Sequence, residues 1–189
     1  MHHVESLARD CATMAAPSPI FSLWVTHLWA VGDILGTPKD LEFATVALGV
    51  DLPVEDVAWW TEPPGAQHWA NATRLTKNPV LAWWRSARAP VFNHRIVRPA
   101  LVWDVDGGVR EEVLAALHDG RGADVREAAV PEELLRQRLR DEAAVSVNAL
   151  RACTRAFEER RWKPGKLEPF ADALWRASDG YLDVLDACQ

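Results

Sequence analysis

Long hydrophobic runs, tyrosine and cysteine are all scarce in this chain of 189 residues. No apolar stretch approaches the roughly 20 residues that a membrane helix needs, so no membrane partner is expected. Three cysteines (Cys11, Cys153 and Cys188) are an odd number without CxxC spacing. That points away from a disulfide framework or a zinc site and towards reduced thiols. Glu5, Arg9 and Asp10 interrupt the apolar stripe of the first segment, which is unlike a signal peptide, so a cytoplasmic location is expected. Missing too are a P-loop, a nucleophile elbow, HExxH and GxGxxG. A net charge of −6 argues against a protein that coats bulk nucleic acid.

What remains is an ordinary globular composition, 49% apolar and 25% charged, with one excess: ten tryptophans against a single tyrosine. The length fits one compact unit able to bury a core without metal or disulfide. Val4, Leu7, Cys11 and Met14 recur at helical spacing, which predicts a helix over 2–15. Residues 20–31 favour a strand, with a helix capped by Ser18 and Pro19 as the alternative. The stretch 41–52 is apolar on both alternating faces, as in a strand covered on both sides. A short turn or helix is expected over 54–60, a short helix over 66–76, and extended segments over 79–85 and 91–104, with Pro99 suggesting an edge or a bulge. A short helix over 109–118 follows.

The period then changes. Leu135, Leu139, Ala143, Ser146, Leu150, Cys153 and Phe157 follow helical steps, and Phe170, Leu174, Ala177, Tyr181, Val184 and Cys188 repeat them after Pro164 and Gly165. Two helices with facing seams predict an antiparallel hairpin, with Gly180 as a point where the second could split. The fold class read from these patterns is α+β: a small mixed sheet with flanking helices over 1–120, and a helical hairpin over 121–189 packed on it.

Candidate chemistry concentrates in two places. In the first, a strand ends at Gly32, a polar turn follows, and the next strand opens Asp40-Leu41-Glu42-Phe43. Residues i and i+2 of a strand share a face, so Asp40 and Glu42 would present paired carboxylates to divalent metal, Mg²⁺ being the natural ion. Asp104, closing the Ala-Leu-Val-Trp-Asp strand, is the candidate third. Solvated acids at a turn are the plain alternative.

The Gly32, Asp40-x-Glu42 and Asp104 pattern resembles nucleotidyltransferases of the polymerase-beta-like superfamily. The resemblance implies a nucleotidyltransferase-like sheet with an appended helical unit, Mg²⁺ held by Asp40, Glu42 and Asp104, and nucleotidyl transfer or a degenerate form of it. Asp33 stands where that superfamily has Ser or Gly, and the linker to Asp40 is short. Over its whole length the chain also resembles actinobacterial proteins with the elements LW-x-xG, VDLP, P-x-x-NHRIVRP and GYLD-x-LDA, which implies no activity.

The second place is electrostatic. Between Ala66 and Trp103 there is no Asp or Glu, while Arg74, Lys77, Arg85, Arg88, Arg95 and Arg98 contribute six positive charges. Tryptophans and His94 are interleaved, the combination that grips phosphate and stacks on a base. Arg85, Arg88, His94, Arg95, Arg98 and Gly32 are therefore the candidate residues for a nucleotide or another phosphorylated ligand. The alternative is that these arginines pair with the acidic helices and the tryptophans fill the core. His27, mid-strand among apolar residues, reads as a core histidine. A non-catalytic interaction module, homodimeric through its helices, is the competing function.

Overall fold

A computed structural model describes residues 2–15, 21–36 and 41–189. Its centre is a five-stranded mixed sheet in the order β3-β2-β1-β4-β5. The strands are β1 (Val25–Val31), β2 (Ala44–Val50), β3 (Val80–Ser86), β4 (Ala100–Asp104) and β5 (Gly108–Val109). β1 runs antiparallel to β2 and β4, β4 antiparallel to β5, and β2 parallel to β3. The parallel pair requires a crossover, supplied by a 3-10 turn at Val54–Asp56 and helix α2 (Ala66–Ala72). β4 is paired on both sides. Residues 91–99, expected to be extended, form a loop, and Pro99 stands just before β4 rather than in an edge strand.

Alternation along the strands divides the core in two. Leu28, Ala30, Val46, Leu48, Val50, Trp84 and Val102 point to one face. Helix α1 (His2–Thr13), α2, and helix α3 (Glu111–His118) close that face. Val4, Leu7, Ala8 and Cys11 form the buried stripe of α1. Burial pushes the Cys11 thiol well above its ordinary pKa, which leaves it an inert packing group. Val31, Ala47, Trp29 and Trp83 point to the other face, where they meet Trp59, Ile96, Leu139 and Val184.

That second face is covered by the C-terminal hairpin, α4 (Glu132–Arg161) and α5 (Glu168–Ala187). Their bounds match the helical period of the sequence. Only the base of the hairpin docks on the sheet: the buried residues are Arg138, Leu139, Glu142 and Ser146 of α4, and Ala177, Gly180 and Val184 of α5. Along the tip, Leu150, Phe157 and Leu174 are half-buried in a narrow seam. Gly180 does not split α5. A Cβ there would lie 2.2 Å from the Trp59 carbonyl oxygen, so the glycine lets the helix backbone sit on the 58–60 turn, a gain that outweighs its helix-propensity cost of about 1 kcal/mol. Among the described residues no helix is long and apolar enough to cross a membrane.

Candidate functional site

The three carboxylates expected to share a metal do not form a visible site. Asp40 lies outside the described residues. Glu42 is exposed and precedes β2, whereas Asp104 stands opposite His27 in β1, which in turn faces Gly49 at the far end of β2. At about 3.3 Å per residue, Glu42 and Asp104 are separated by roughly 20 Å along the strands. Asp104 is also fully engaged. Its Oδ1 accepts from the amides of Asp106 (3.0 Å) and Gly107 (2.6 Å), and its Oδ2 from Arg110 (2.5 Å). Burial pushes its pKa up, but those donors outweigh burial and hold it below the usual carboxylate value. This is the chemistry of a turn clamp on β4 and β5. No group of three or more potential metal ligands occurs among the described residues. Glu42 and Asp104 therefore do not fit a shared Mg²⁺, and no catalytic step is routed through one. Gly32, at the end of β1 with φ +70°, lends its carbonyl to Arg126 (3.2 Å).

The basic stretch is spent largely on internal pairing. Arg85, on β3, donates Nη2 to Glu142 of α4 and Nε to the Val91 carbonyl. Its guanidinium lies over the Trp59 ring. Arg95 and His94 both reach Asp183 of α5, at 2.5 and 2.7 Å, and Trp59 Nε1 donates to the same carboxylate at 2.8 Å. Burial pushes the Asp183 pKa up, but these donors prevail and hold it below its ordinary value. Arg88 pairs with Asp51 (2.9 Å) at the surface. Arg98 adopts φ +47°, a left-handed conformation that costs a non-glycine residue about 1–2 kcal/mol. It donates Nε to the Glu127 carbonyl (3.0 Å), while the Glu127 amide donates to Pro99 (2.8 Å). Arg85, His94 and Arg95 thus fasten the 91–98 loop to the hairpin, and Arg98 fastens it to 126–128. These residues do not converge on one anion-binding surface.

The same fastening encloses a space. Between the 86–92 segment and the 127–130 segment, on the hairpin side of the sheet, lies a cavity of about 390 Å³. Its floor is His27, Trp29 and Gly49, from the central strands β1 and β2. The His27 and Trp29 rings stack at 6.3 Å and 14°. Gly49 makes the floor low: a Cβ there would meet His27 Cβ at 3.0 Å. Phe92, Pro99 and Val130 supply apolar walls, and the buried Arg85 enters from one side. Of the residues put forward from the sequence for a phosphorylated ligand, Arg85 alone lines it. His27, read as a core histidine, is half-buried and forms part of the floor. A glycine in mid-strand signals close approach or missing bulk, and Gly49 was the mark in the sequence that could have located this site.

Comparison with known proteins bears on the whole chain. A model of a family described as a domain of unknown function, DUF7711, matches residues 1–189. The chain belongs to that family. No curated protein and no solved structure matches it. What a DUF7711 chain does must therefore be argued from its own geometry.

Proposed function

We propose that this protein binds a compact, mainly apolar small molecule in the cavity over His27, Trp29 and Gly49. One observation carries the reading: the central strands β1 and β2 face a concave space at one spot on the hairpin side, roofed by loops that the buried Arg85–Glu142 pair and the hydrogen bonds of Arg98 and Pro99 with Glu127 hold in place. Ligand sites are typically concave, mostly apolar and furnished with a few fixed polar groups, and this cavity has that make-up. A nucleoside triphosphate is a poorer occupant, because Arg85, Arg88 and Arg95 already have carboxylate partners.

The test uses Ala128, which lines the cavity and is solvent-exposed. Ligand-observed NMR with neutral and charged aromatic fragments should give binders to the wild-type chain that are lost with Ala128→Trp, while the melting temperature stays within about 1 °C. Binders indifferent to Ala128→Trp, or a saturable titration with Mg²⁺ and a nucleoside triphosphate that ignores it, would refute the cavity and favour nucleotide binding elsewhere.

A second reading, interaction with a second copy, is favoured by a separate observation. Leu134, Trp162, Phe170, Trp175, Leu182 and Leu185 are exposed apolar residues on the hairpin. Apart from the inward-paired Asp183, α5 carries Glu168, Asp172, Asp179 and Asp186 against Arg176, whereas the tip of α4 and its turn carry Arg151, Arg155, Arg160, Arg161, Lys163 and Lys166 against Glu158 and Glu159. Two hairpins can therefore pair with opposite charges facing. Sedimentation of wild type against Trp175→Glu tests it: a dimer converted to monomer supports the reading, and a wild-type monomer at 100 μM ends it.

A further inference from the structure

The wall that Arg85 forms carries a charge imbalance. Arg85 and Arg138 both direct a guanidinium Nη2 to one oxygen, Oε1 of Glu142, with Arg138 at 3.2 Å. The other oxygen of Glu142 accepts from Asn93 Nδ2 at 3.1 Å. Arg85, Glu142 and Arg138 side chains are only 3%, 4% and 9% exposed. Two buried guanidinium groups thus share a single carboxylate. The strain shows on Arg138: its Nε is buried without a partner among the described residues. Burial, and next the neighbouring Arg85 charge, lower its pKa against the pull of Glu142 and Asp141. A buried charge without its counter-charge is costly, so the cluster favours one further anion.

Arg85 has the means to receive it. Nε is spent on Val91 and Nη2 on Glu142, while Nη1 has no hydrogen-bond partner among the described residues. On the floor, the Thr26 hydroxyl meets Gly49 O at 3.3 Å and His27 Nδ1 at 2.9 Å. A hydroxyl has one proton to give. With that proton on the Gly49 carbonyl, His27 Nδ1–H donates to Thr26 and Nε2 accepts; with it on Nδ1, Nε2–H donates, so a ligand hydrogen-bonded at Nε2 selects the tautomer. Glu127, whose exposed side chain belongs to the 127–130 wall, opposes a second negative group at the mouth.

We propose that the ligand is an apolar monocarboxylate, a compact aromatic acid whose carboxylate is received by Nη1 of Arg85 and whose ring lies on Trp29 and Phe92. This rests on the cavity being a small-molecule site and adds the charge and number of its polar ends. A ring N–H or hydroxyl finds its acceptor at His27 Nε2. Di- and triphosphates, with several charges, are excluded by the apolar walls and by Glu127.

The experiment compares matched probes by calorimetry: indole-3-acetate against its neutral isostere indole-3-acetamide, each with wild type, Ala128→Trp and Arg138→Met. Arg138 does not line the cavity, so Arg138→Met removes the surplus charge and leaves the walls in place. The expected result is acid binding at least 10-fold tighter than amide in wild type, a preference reduced to 3-fold or less in Arg138→Met with amide affinity unchanged, and no binding in Ala128→Trp. Equal affinities for acid and amide in wild type, both lost in Ala128→Trp, would overturn the anion assignment and keep the cavity. A preference that survives Arg138→Met intact would overturn the charge argument. Absence of both probes and of every neutral fragment from the wild-type cavity would overturn the binding reading itself.

Discussion

The two faces of the central sheet are built on opposite chemistry. The face under α1, α2 and α3 is apolar throughout, with aliphatic side chains packed around Trp69, Trp84 and Trp103. Leu28, Val46, Leu48, Val50 and Val102 are buried there, and Cys11 is held among them as a neutral thiol. The face under the hairpin is aromatic and ionic, with Trp29, Trp59 and Trp83 set among Arg85, Glu142, Arg138, His94 and Asp183. Area burial alone stabilises the first, at about 1.5–3 kcal/mol per large side chain. The second spends buried charge, which is weak evidence for stability because desolvation offsets most of the attraction. Charge buried beside a cavity has another use, which is to fix where a ligand's polar end goes.

Removing Glu142 is the most severe way to break the contrast. Glu142→Ala strands two guanidinium groups and should cost about 4 kcal/mol, read as a lower urea midpoint. Leu48→Ala, on the face under α1 to α3, should cost about 3 kcal/mol through transfer and cavity terms. It should leave the cavity over His27 and its ligand affinity intact, which Glu142→Ala should not.

Acid separates the faces by another route. Asp183 and Asp104 have folded pKa values held below the unfolded value. The stability they add is therefore complete above an unfolded pKa of about 3.9 and is lost as pH falls through their lower folded values. Hydrogen exchange at decreasing pH should show the 91–98 loop and the C-terminal turns of α5 opening before α1 and β2. Simultaneous loss of both regions would contradict the division.

Smaller effects sharpen it. Arg138→Met should change stability by no more than about 1 kcal/mol in either direction, since it removes a charge that lacks its own counter-ion. A loss comparable to that of Glu142→Ala would show Arg138 to be a full partner. Trp162→Ala, at a residue 78% exposed beyond the end of α4, should leave thermal unfolding within about 0.5 kcal/mol. A larger change would mean that the hairpin tip is covered in solution.

How far the sequence reveals this division depends on the range of the interactions. Local periodicity is a property of neighbours along the chain, so the seams of α4 and α5, the stripe of α1 and the two-faced apolar β2 were all legible. Leu139 and Ser146 are buried as their spacing required. The 91–99 segment was misread because its conformation is set by partners far away in sequence. Asn93 donates to Glu142, Asp183 holds Arg95, and Arg98 is fixed by Glu127. An acid-free run of arginines and tryptophans was visible as a signal, yet whether its charges are free or paired depends on Glu142 and Asp183, which stand 57 and 88 residues from Arg85 and Arg95. The cavity was less legible still. His27, Gly49, Phe92 and Val130 belong to four separate segments, and Gly49 alone hinted at missing bulk.

The ties from Asp183 have a consequence for how the molecule is made. Synthesis delivers the chain from its N-terminus, and Asp183 follows Arg95 by 88 residues. The strands and the apolar layer between them and α1 to α3 are complete once His118 has emerged. The loop that roofs the cavity waits for α5, which follows all five strands and α1 to α4 in the chain. A nascent chain therefore passes through a stage in which one side of its sheet is sealed while the other, with its tryptophans, lies bare. A chain that stops before Asp183 would keep the layer under α1 to α3, leave the roof untied and show the tryptophans of the hairpin face to the cell's quality-control machinery.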